Sequence, residues 1–275
     1  MTLLKISLAQ MDVKLGQPQE NLAAVGRFAQ EAAAVGSQLL VLPELWATGY
    51  DLEHAAAYAT GLDEGVFAET AVLAQKHNIH IIGSSLSKVG EGKFGNTAVF
   101  CNNNGAILAD YSKIHLFRLM DEHQFLNAGD TLSIAETTWG KMGLSICYDL
   151  RFPELFRRYA LADCVLTFVP AEWPHPRQAH WRTLLRARAI ENQMYIVACN
   201  RVGQSKETVF CGHSCIIDPW GERLLEGGEA EELLTAEIDL EKVTAVRRTI
   251  PVFKDRRPTI YAQPIPYHDI KKDMT

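Results

Sequence analysis

No apolar run in this chain approaches the ~20 residues that a helix needs to cross a bilayer, so no membrane span is expected. An excess of positive charge is also missing. Lysine and arginine number 27 against 33 aspartates and glutamates, a formal charge of -6, which argues against a nucleic-acid-binding surface. Cysteine is sparse: six residues, at positions 101, 147, 164, 199, 211 and 215, are scattered over 275. That density is too low for a disulfide scaffold and fits a reducing, cytoplasmic location. No Gly-x-Gly-x-x-Gly or P-loop is present, since Gly90-Glu91-Gly92 lacks the rest of either pattern. There is no repeat, no low-complexity stretch and no linker. The N-terminal Met1-Thr2-Leu3-Leu4-Lys5-Ile6-Ser7-Leu8 is too short and interrupted for a signal peptide, and reads as a first strand.

What is present is a 47% hydrophobic chain with alternating strand and helix signals, which points to an α/β class. Strands are expected at 4–10, 39–42, 79–84, 95–101, 106–111, 143–147, 164–169, 195–200, 212–217 and 223–226. Helices are expected at 21–35, where Leu22, Val25, Phe28, Ala29 and Ala32 recur at helical spacing, and at 65–77, 153–160 and 179–193. Asn102-Asn103-Asn104-Gly105 and Asp218-Pro219-Trp220-Gly221 are turn sequences. The whole chain, 1–275, reads as one domain with a core at about 4–262 and a tail beyond.

Three segments carry candidate chemistry. In Gly143-Leu144-Ser145-Ile146-Cys147-Tyr148-Asp149-Leu150-Arg151-Phe152-Pro153-Glu154-Leu155 an apolar strand stops at a cysteine and a helix is expected from Phe152-Pro153. A thiol there can face a cleft, its thiolate favoured by the helix dipole. A buried, inert cysteine is the commoner alternative. In Leu39-Leu40-Val41-Leu42-Pro43-Glu44-Leu45-Trp46-Ala47-Thr48-Gly49-Tyr50, Glu44 lies past a strand end in apolar company. That company should raise its pKa and suit it to base and acid work; a loop cap or an arginine partner is the alternative. Lys113, in Ala109-Asp110-Tyr111-Ser112-Lys113-Ile114-His115-Leu116-Phe117, read alone is a solvated lysine.

Taken together and in order, these segments resemble the nitrilase superfamily of carbon–nitrogen hydrolases, whose catalytic set is Glu, Lys and Cys. Glu122 ahead of Gly129-Asp130 sits where that family keeps a second glutamate, and Gly212-His213-Ser214-Cys215-Ile216-Ile217-Asp218-Pro219-Trp220-Gly221 looks like its later strand and turn. The resemblance runs from Ile6 to about Tyr261. It implies a four-layer α-β-β-α sandwich, paired subunits (a homodimer or higher even oligomer) and no cofactor. Cys147 would attack the amide carbon, Glu44 would carry the proton, and Lys113 with the backbone N–H of Tyr148 would hold the oxyanion. Glu122 would orient Lys113 and the substrate amide. Without the family spacing, Glu122 reads as a surface carboxylate. His115 and His123 offer a weaker, papain-like Cys–His reading. Cys211, His213 and Cys215 would share one face of a strand, but no second ligand pair at zinc spacing accompanies them, and no metal is expected.

Within the superfamily, His115-Leu116-Phe117-Arg118-Leu119-Met120-Asp121-Glu122-His123, Ala171-Glu172-Trp173-Pro174-His175-Pro176-Arg177 and the helix from His180 to Gln193 are most similar to the ω-amidases. The implied partners are a small amide and water, the amide being that of a short dicarboxylic acid such as 2-oxoglutaramate. Its carboxylate calls for a guanidinium, with Arg118 and Arg177 as candidates. Glu172 and Trp173 are further substrate-binding candidates; Trp173 and Phe117 would wall the pocket or, equally, sit in the core, while Arg186, Arg188 and Glu191 read as helix-face ion pairs. N-carbamoyl amidohydrolase and aliphatic amidase activities stay open, as does a catalytically silent binding partner.

Overall fold

The computed structural model describes residues 2–263; the remainder of the expected tail lies outside the described residues. The first half supplies β1 (Leu3–Gln10), α1 (Pro18–Ala34), β2 (Leu39–Val41), α2 (Ala55–Tyr58), α3 (Gly65–His77), β3 (His80–Gly90), β4 (Lys93–Cys101), β5 (Ile107–Ser112) and α4 (Glu122–Phe125). The second half supplies β6 (Ile134–Thr137), β7 (Gly140–Leu144), α5 (Pro153–Leu161), β8 (Cys164–Ala171), α6 (Gln178–Asn192), β9 (Tyr195–Asn200), β10 (Gln204–Ser205), β11 (Thr208–Val209), β12 (Cys215–Ile217), β13 (Arg223–Glu226), β14 (Glu232–Asp239) and α7 (Glu241–Thr249).

Two six-stranded sheets result, in the orders β14-β1-β2-β3-β4-β5 and β13-β12-β9-β8-β7-β6. Their centres are parallel (β1-β2-β3 and β7-β8-β9) and their flanks antiparallel. α1 and α3 cover one sheet; α5 and α6 cover the other. The layers are therefore α-β-β-α.

The pattern along the strands explains the layering. In β1, Leu4, Ile6 and Leu8 point into a core shared with Leu144, Leu166, Phe168 and Val197 of the second sheet. Ala9 points the other way, toward Val25, Phe28 and Ala29 of α1. β2 divides likewise: Leu39 and Val41 go to the core between the sheets, Leu40 to the helix side. A strand covered on both faces reads as a continuous apolar run rather than an alternating one. Phe100 meets Phe168 edge to face at 6.0 Å across the sheets. Each such buried side chain contributes about 1.5–3 kcal/mol relative to exposure.

Some bounds differ from expectation. β3 runs on to Gly90 because its serines, polar in sequence, are satisfied inside the sheet: Ser87 Oγ shares a hydrogen bond with Thr97 Oγ1 at 2.6 Å. The nucleophile strand ends at Leu144, not Cys147. β12 starts only at Cys215, and His213 has a left-handed φ of 53°, so Cys211, His213 and Cys215 do not share a strand face. Asn200 instead donates to Cys211 Sγ. Among the described residues no group of three or more His, Cys, Asp or Glu side chains could hold a metal ion. β6, β14 and α7 have no counterpart among the expected elements.

Candidate active site

Glu44, Lys113, Cys147 and Glu172 all lie just past the C-terminal ends of strands: β2, β5, β7 and β8. In sheets with parallel centres this is the end at which ligand sites open. Each residue is delivered by a different loop, so four stretches far apart in sequence converge.

The nucleophile turn is the most constrained of these. A 3-10 turn spans Cys147–Arg151, and Pro153 then opens α5. Cys147 adopts φ 45°, unusual for a residue with a Cβ and a form of strain found at functional turns. Buried Asp149 fastens the turn. Its Oδ2 accepts from the Ile146 N–H at 2.9 Å and from Tyr111 Oη at 2.8 Å, and its Oδ1 accepts from the His115 N–H at 3.1 Å. His115 Nδ1 lies 2.7 Å from the same Oδ1, and its ring stacks on Phe152 at 3.5 Å. Arg188 adds two hydrogen bonds to the Leu150 carbonyl, at 3.1 and 2.8 Å, and pairs with Glu191 at 2.9 Å. His115, one of the two histidines of the papain-like alternative, thus serves Asp149, and His123 is exposed on α4.

Lys113, Glu44 and Glu122 are all 0% exposed. Lys113 Nζ sits 2.7 Å from Glu44 Oε1 and 2.6 Å from Glu122 Oε1. Tyr50 Oη lies 3.0 Å from Glu44 Oε1, 2.9 Å from Glu122 Oε1 and 3.3 Å from Lys113 Nζ. Asn96 Nδ2 donates to Glu44 Oε1 at 2.8 Å, the Glu172 N–H donates to Glu44 Oε2 at 2.9 Å, and the Phe117 N–H donates to Glu122 Oε2 at 2.5 Å. The apolar company expected around Glu44 is therefore only part of its setting, which is a cage of donors. One positive charge faces two carboxylates.

Electrostatics follow from that count and from burial. Burial works against charge on Lys113, but Glu122 and Glu44 outweigh it and hold the ammonium well above the usual lysine range. Burial raises the Glu122 carboxyl, with Lys113 pulling it back. Cys147, 4% exposed, is pushed well above the usual thiol range, first by burial and then by the Glu44 charge, with Lys113 opposing. This corrects the expectation of a dipole-favoured thiolate: the resting sulfur keeps its proton, and a base must remove it. Glu172 is pushed up to about 7 by burial, with Arg201 opposing.

A narrow cleft leads to the thiol, with free space of about 10 Å³. Cys147, Tyr148, Glu172, Trp173 and Arg177 line it, and so does Arg151, which the sequence reading left without a role. Arg151 lies over the Trp173 ring at 4.9 Å and the Tyr148 ring at 5.9 Å; Arg177 lies over the Phe117 ring at 5.5 Å. Trp173 is anchored by its indole N–H on the Arg177 carbonyl at 2.8 Å. Arg118 is exposed, on a 3-10 turn outside the cleft lining. The Glu172 side chain turns to buried Arg201 at 3.2 Å, so its link to Glu44 runs through its backbone.

Tyr50, Asn96, Arg151 and Arg201 are the site residues missing from the sequence reading. Tyr50 and Arg151 stood inside recognised motifs, at the end of the Glu44 segment and four residues after Cys147. Asn96 and Arg201 carried no signal, being single polar residues in or next to ordinary strands.

A thiol, a carboxylate beside it and a buried ammonium form a set able to open an amide through an acyl-sulfur intermediate. Comparison with known proteins agrees with that chemistry. The 2-oxoglutaramate amidase of Bacillus subtilis is 43% identical over 258 residues, covering 93% of this chain and 98% of its own. The human omega-amidase is 33% identical, covering 95% and 98%. The crystal structure of a CN-hydrolase superfamily protein from Xanthomonas campestris, with an arsenic adduct in its active site, superposes with a TM-score of 0.87 at 31% identity, covering 94% and 98%. The family model for carbon-nitrogen hydrolases matches residues 5–248, a span holding Glu44, Lys113, Glu122 and Cys147. This chain therefore belongs to the carbon–nitrogen hydrolase family, within the nitrilase superfamily.

Proposed function

We propose that this amidohydrolase cleaves the ω-amide of a short dicarboxylic acid, 2-oxoglutaramate foremost, releasing ammonia and the dicarboxylate. The observation that carries the reading is the pair of guanidiniums at the thiol's cleft. Arg151 and Arg177 have no carboxylate partner among the described residues, and both are held on aromatic faces. Guanidiniums that line a narrow cleft without a carboxylate of their own suit a carboxylate at the far end of a short chain. The names of the Bacillus subtilis and human relatives support the same substrate class.

The proposed mechanism starts from Glu44. Its Oε1 already accepts from Lys113, Asn96 and Tyr50, whereas Oε2 accepts only the Glu172 N–H. The free lone pair is on Oε2, which makes Oε2 the base. As Sγ attacks the amide carbon, the S–H bond breaks and its proton passes to Glu44. The carbonyl oxygen gains charge and is held by Lys113 and by the Tyr148 N–H, which as an early N–H of its turn has no partner within that turn. The tetrahedral carbon then expels ammonia, with Glu44 returning the proton to nitrogen. Water, deprotonated by Glu44, then attacks the thioester carbon, the C–S bond breaks, and Glu44 returns the proton to Sγ, which restores the thiol. Glu122 fixes Lys113 and accepts from the substrate amide.

The reading also includes a cytoplasmic homodimer. Six unpaired cysteines support a reducing compartment, and no helix among the described residues is long and apolar enough to cross a membrane. Light scattering on the purified protein measures the oligomer.

Ammonia release tests the substrate. The panel is 2-oxoglutaramate, succinamate, an N-carbamoyl amino acid, N-carbamoylputrescine, propionamide and a simple nitrile, each with a Cys147→Ala control. The reading requires strong Cys147-dependent release from the first two. Release mainly from a carbamoyl compound or propionamide would keep the mechanism and replace the substrate. Silence across the panel from a folded protein would favour the non-catalytic binding partner.

A further inference from the structure

Tyr50 has one hydroxyl proton and two carboxylates within reach, Glu44 Oε1 at 3.0 Å and Glu122 Oε1 at 2.9 Å. It can donate to only one at a time. Its oxygen meanwhile accepts from Lys113 Nζ at 3.3 Å, which leaves the hydroxyl hydrogen free to face either carboxylate. Asn96, the other neutral side-chain donor to Glu44, has no second carboxylate to serve among the described residues. The charged and titratable groups acting on the phenol are Glu122, Glu44, Cys147 and Glu172, with Lys113 against its oxygen. Burial, then the negative charges of Glu122 and Glu44, keep the phenol protonated far above neutral pH, so it stays a donor throughout.

The reaction changes the charge of only one of the two carboxylates. We propose that Tyr50 is a positioning residue of the hydrolysis, its hydroxyl hydrogen turning from Glu44 to Glu122 each time Glu44 takes up a proton and turning back when Glu44 gives it up. No bond of Tyr50 to hydrogen breaks in this cycle. The S–H bond breaks, the proton lands on Glu44 Oε2, and the sulfur electron pair forms the bond to the amide carbon. Glu44 is then neutral and a poor acceptor, and Glu122, still charged, takes the hydroxyl. When the C–N bond breaks and the leaving nitrogen collects the proton, Glu44 is charged again and recovers its donor. Lys113 can thereby swing a hydrogen toward the oxyanion while Glu122, charged throughout, takes the Tyr50 hydroxyl in its place.

The proposal rests on the roles of Glu44 and Cys147 in amide hydrolysis but not on which amide is the substrate. The test is Tyr50→Phe, which removes only the hydroxyl. Two readouts are needed: kcat and KM on an amide the wild type hydrolyses, and the pH–rate profile of Cys147 alkylation by iodoacetamide, which needs no substrate. Loss of a donor to charged acceptors should lower kcat about ten- to a hundredfold with KM within about threefold. The acid limb of the alkylation profile should move up by about one pH unit, because the coupled carboxylate site has lost a donor that favours its charged form. In a cycle with Glu122→Gln, the double variant should lose clearly less than the product of the single losses. A Tyr50→Phe protein with an unmoved acid limb, strictly multiplicative losses, or failure to fold would each overturn the proposal, the last by making the hydroxyl structural. A shifted limb in a protein inert toward 2-oxoglutaramate would uphold it while removing the substrate assignment.

Discussion

Lys113→Met is the substitution for which the site makes the sharpest demand. The lysine is wholly buried, and among the described residues its ammonium is the single cation within 2.7 Å of both Glu44 and Glu122. Methionine keeps most of the volume and removes the charge. Two effects follow. Loss of an oxyanion donor costs about 3–4 kcal/mol of transition-state stabilisation, or a fall in kcat of about 10²–10³. Removing one partner of a buried charge pair costs about 3–5 kcal/mol of folding stability. At about 2–4 °C per kcal/mol for a chain near this size, the melting temperature should fall by about 6–20 °C.

The sign of the pH dependence separates charge from packing. Burial already holds Glu122 above the ordinary carboxylate range, with Lys113 pulling it down. Without the lysine Glu122 binds its proton more tightly still. A carboxyl whose folded pKa exceeds its unfolded one costs stability as pH rises through the folded value. The stability deficit of Lys113→Met relative to wild type should therefore be smaller near about pH 5 than near about pH 8, each tenfold gain in proton affinity being worth about 1.4 kcal/mol. Thermal melts at both values, with ammonia release alongside, measure it. An equal deficit at both would refute the buried-charge argument, and near-normal turnover would remove Lys113 from the mechanism.

Other outcomes are expected from the same geometry. Cys147→Ala should abolish turnover while leaving the melting temperature within a few degrees; a misfolded variant would make the cysteine structural. Arg177→Ala and Arg151→Met should each lower activity on 2-oxoglutaramate more than on propionamide, by about tenfold or more per lost charge-assisted contact; an equal loss on both amides would reject the carboxylate role. Glu172, raised to about 7 by burial against the pull of Arg201, makes the wild type lose stability as pH rises through that value. Glu172→Gln lacks this titration, so its melting temperature relative to wild type should climb between about pH 5 and pH 8, and a flat difference would show that Glu172 does not titrate there.

Much of this protein was legible in the string because the information is local. Apolar runs such as Leu39-Leu40-Val41-Leu42 and the spacing of Val25, Phe28, Ala29 and Ala32 specify strands and a helix through side-chain periodicity alone, and Gly65–His77 and Tyr195–Asn200 fall where that periodicity places them. Glu44, Lys113, Glu122 and Cys147 stand in ordered motifs that name a chemistry. Long-range convergence was not legible. The hydroxyl of Tyr50 between two carboxylates, the Asn96 amide on Glu44, Arg201 behind Glu172 and Arg151 beside the cleft depend on distances set by how the strands stack, and no spacing in the chain encodes those distances. Nor does sequence reveal how deeply the thiol is buried. That burial, with the Glu44 charge beside it, turned Cys147 from an expected thiolate into a protonated thiol that needs a base. Apolar periodicity and ordered motifs carried the α/β class and the chemical set; packing in three dimensions set the thiol's protonation, its supporting donors and which arginines line the cleft, because charge and solvation depend on neighbours in space rather than neighbours in the chain.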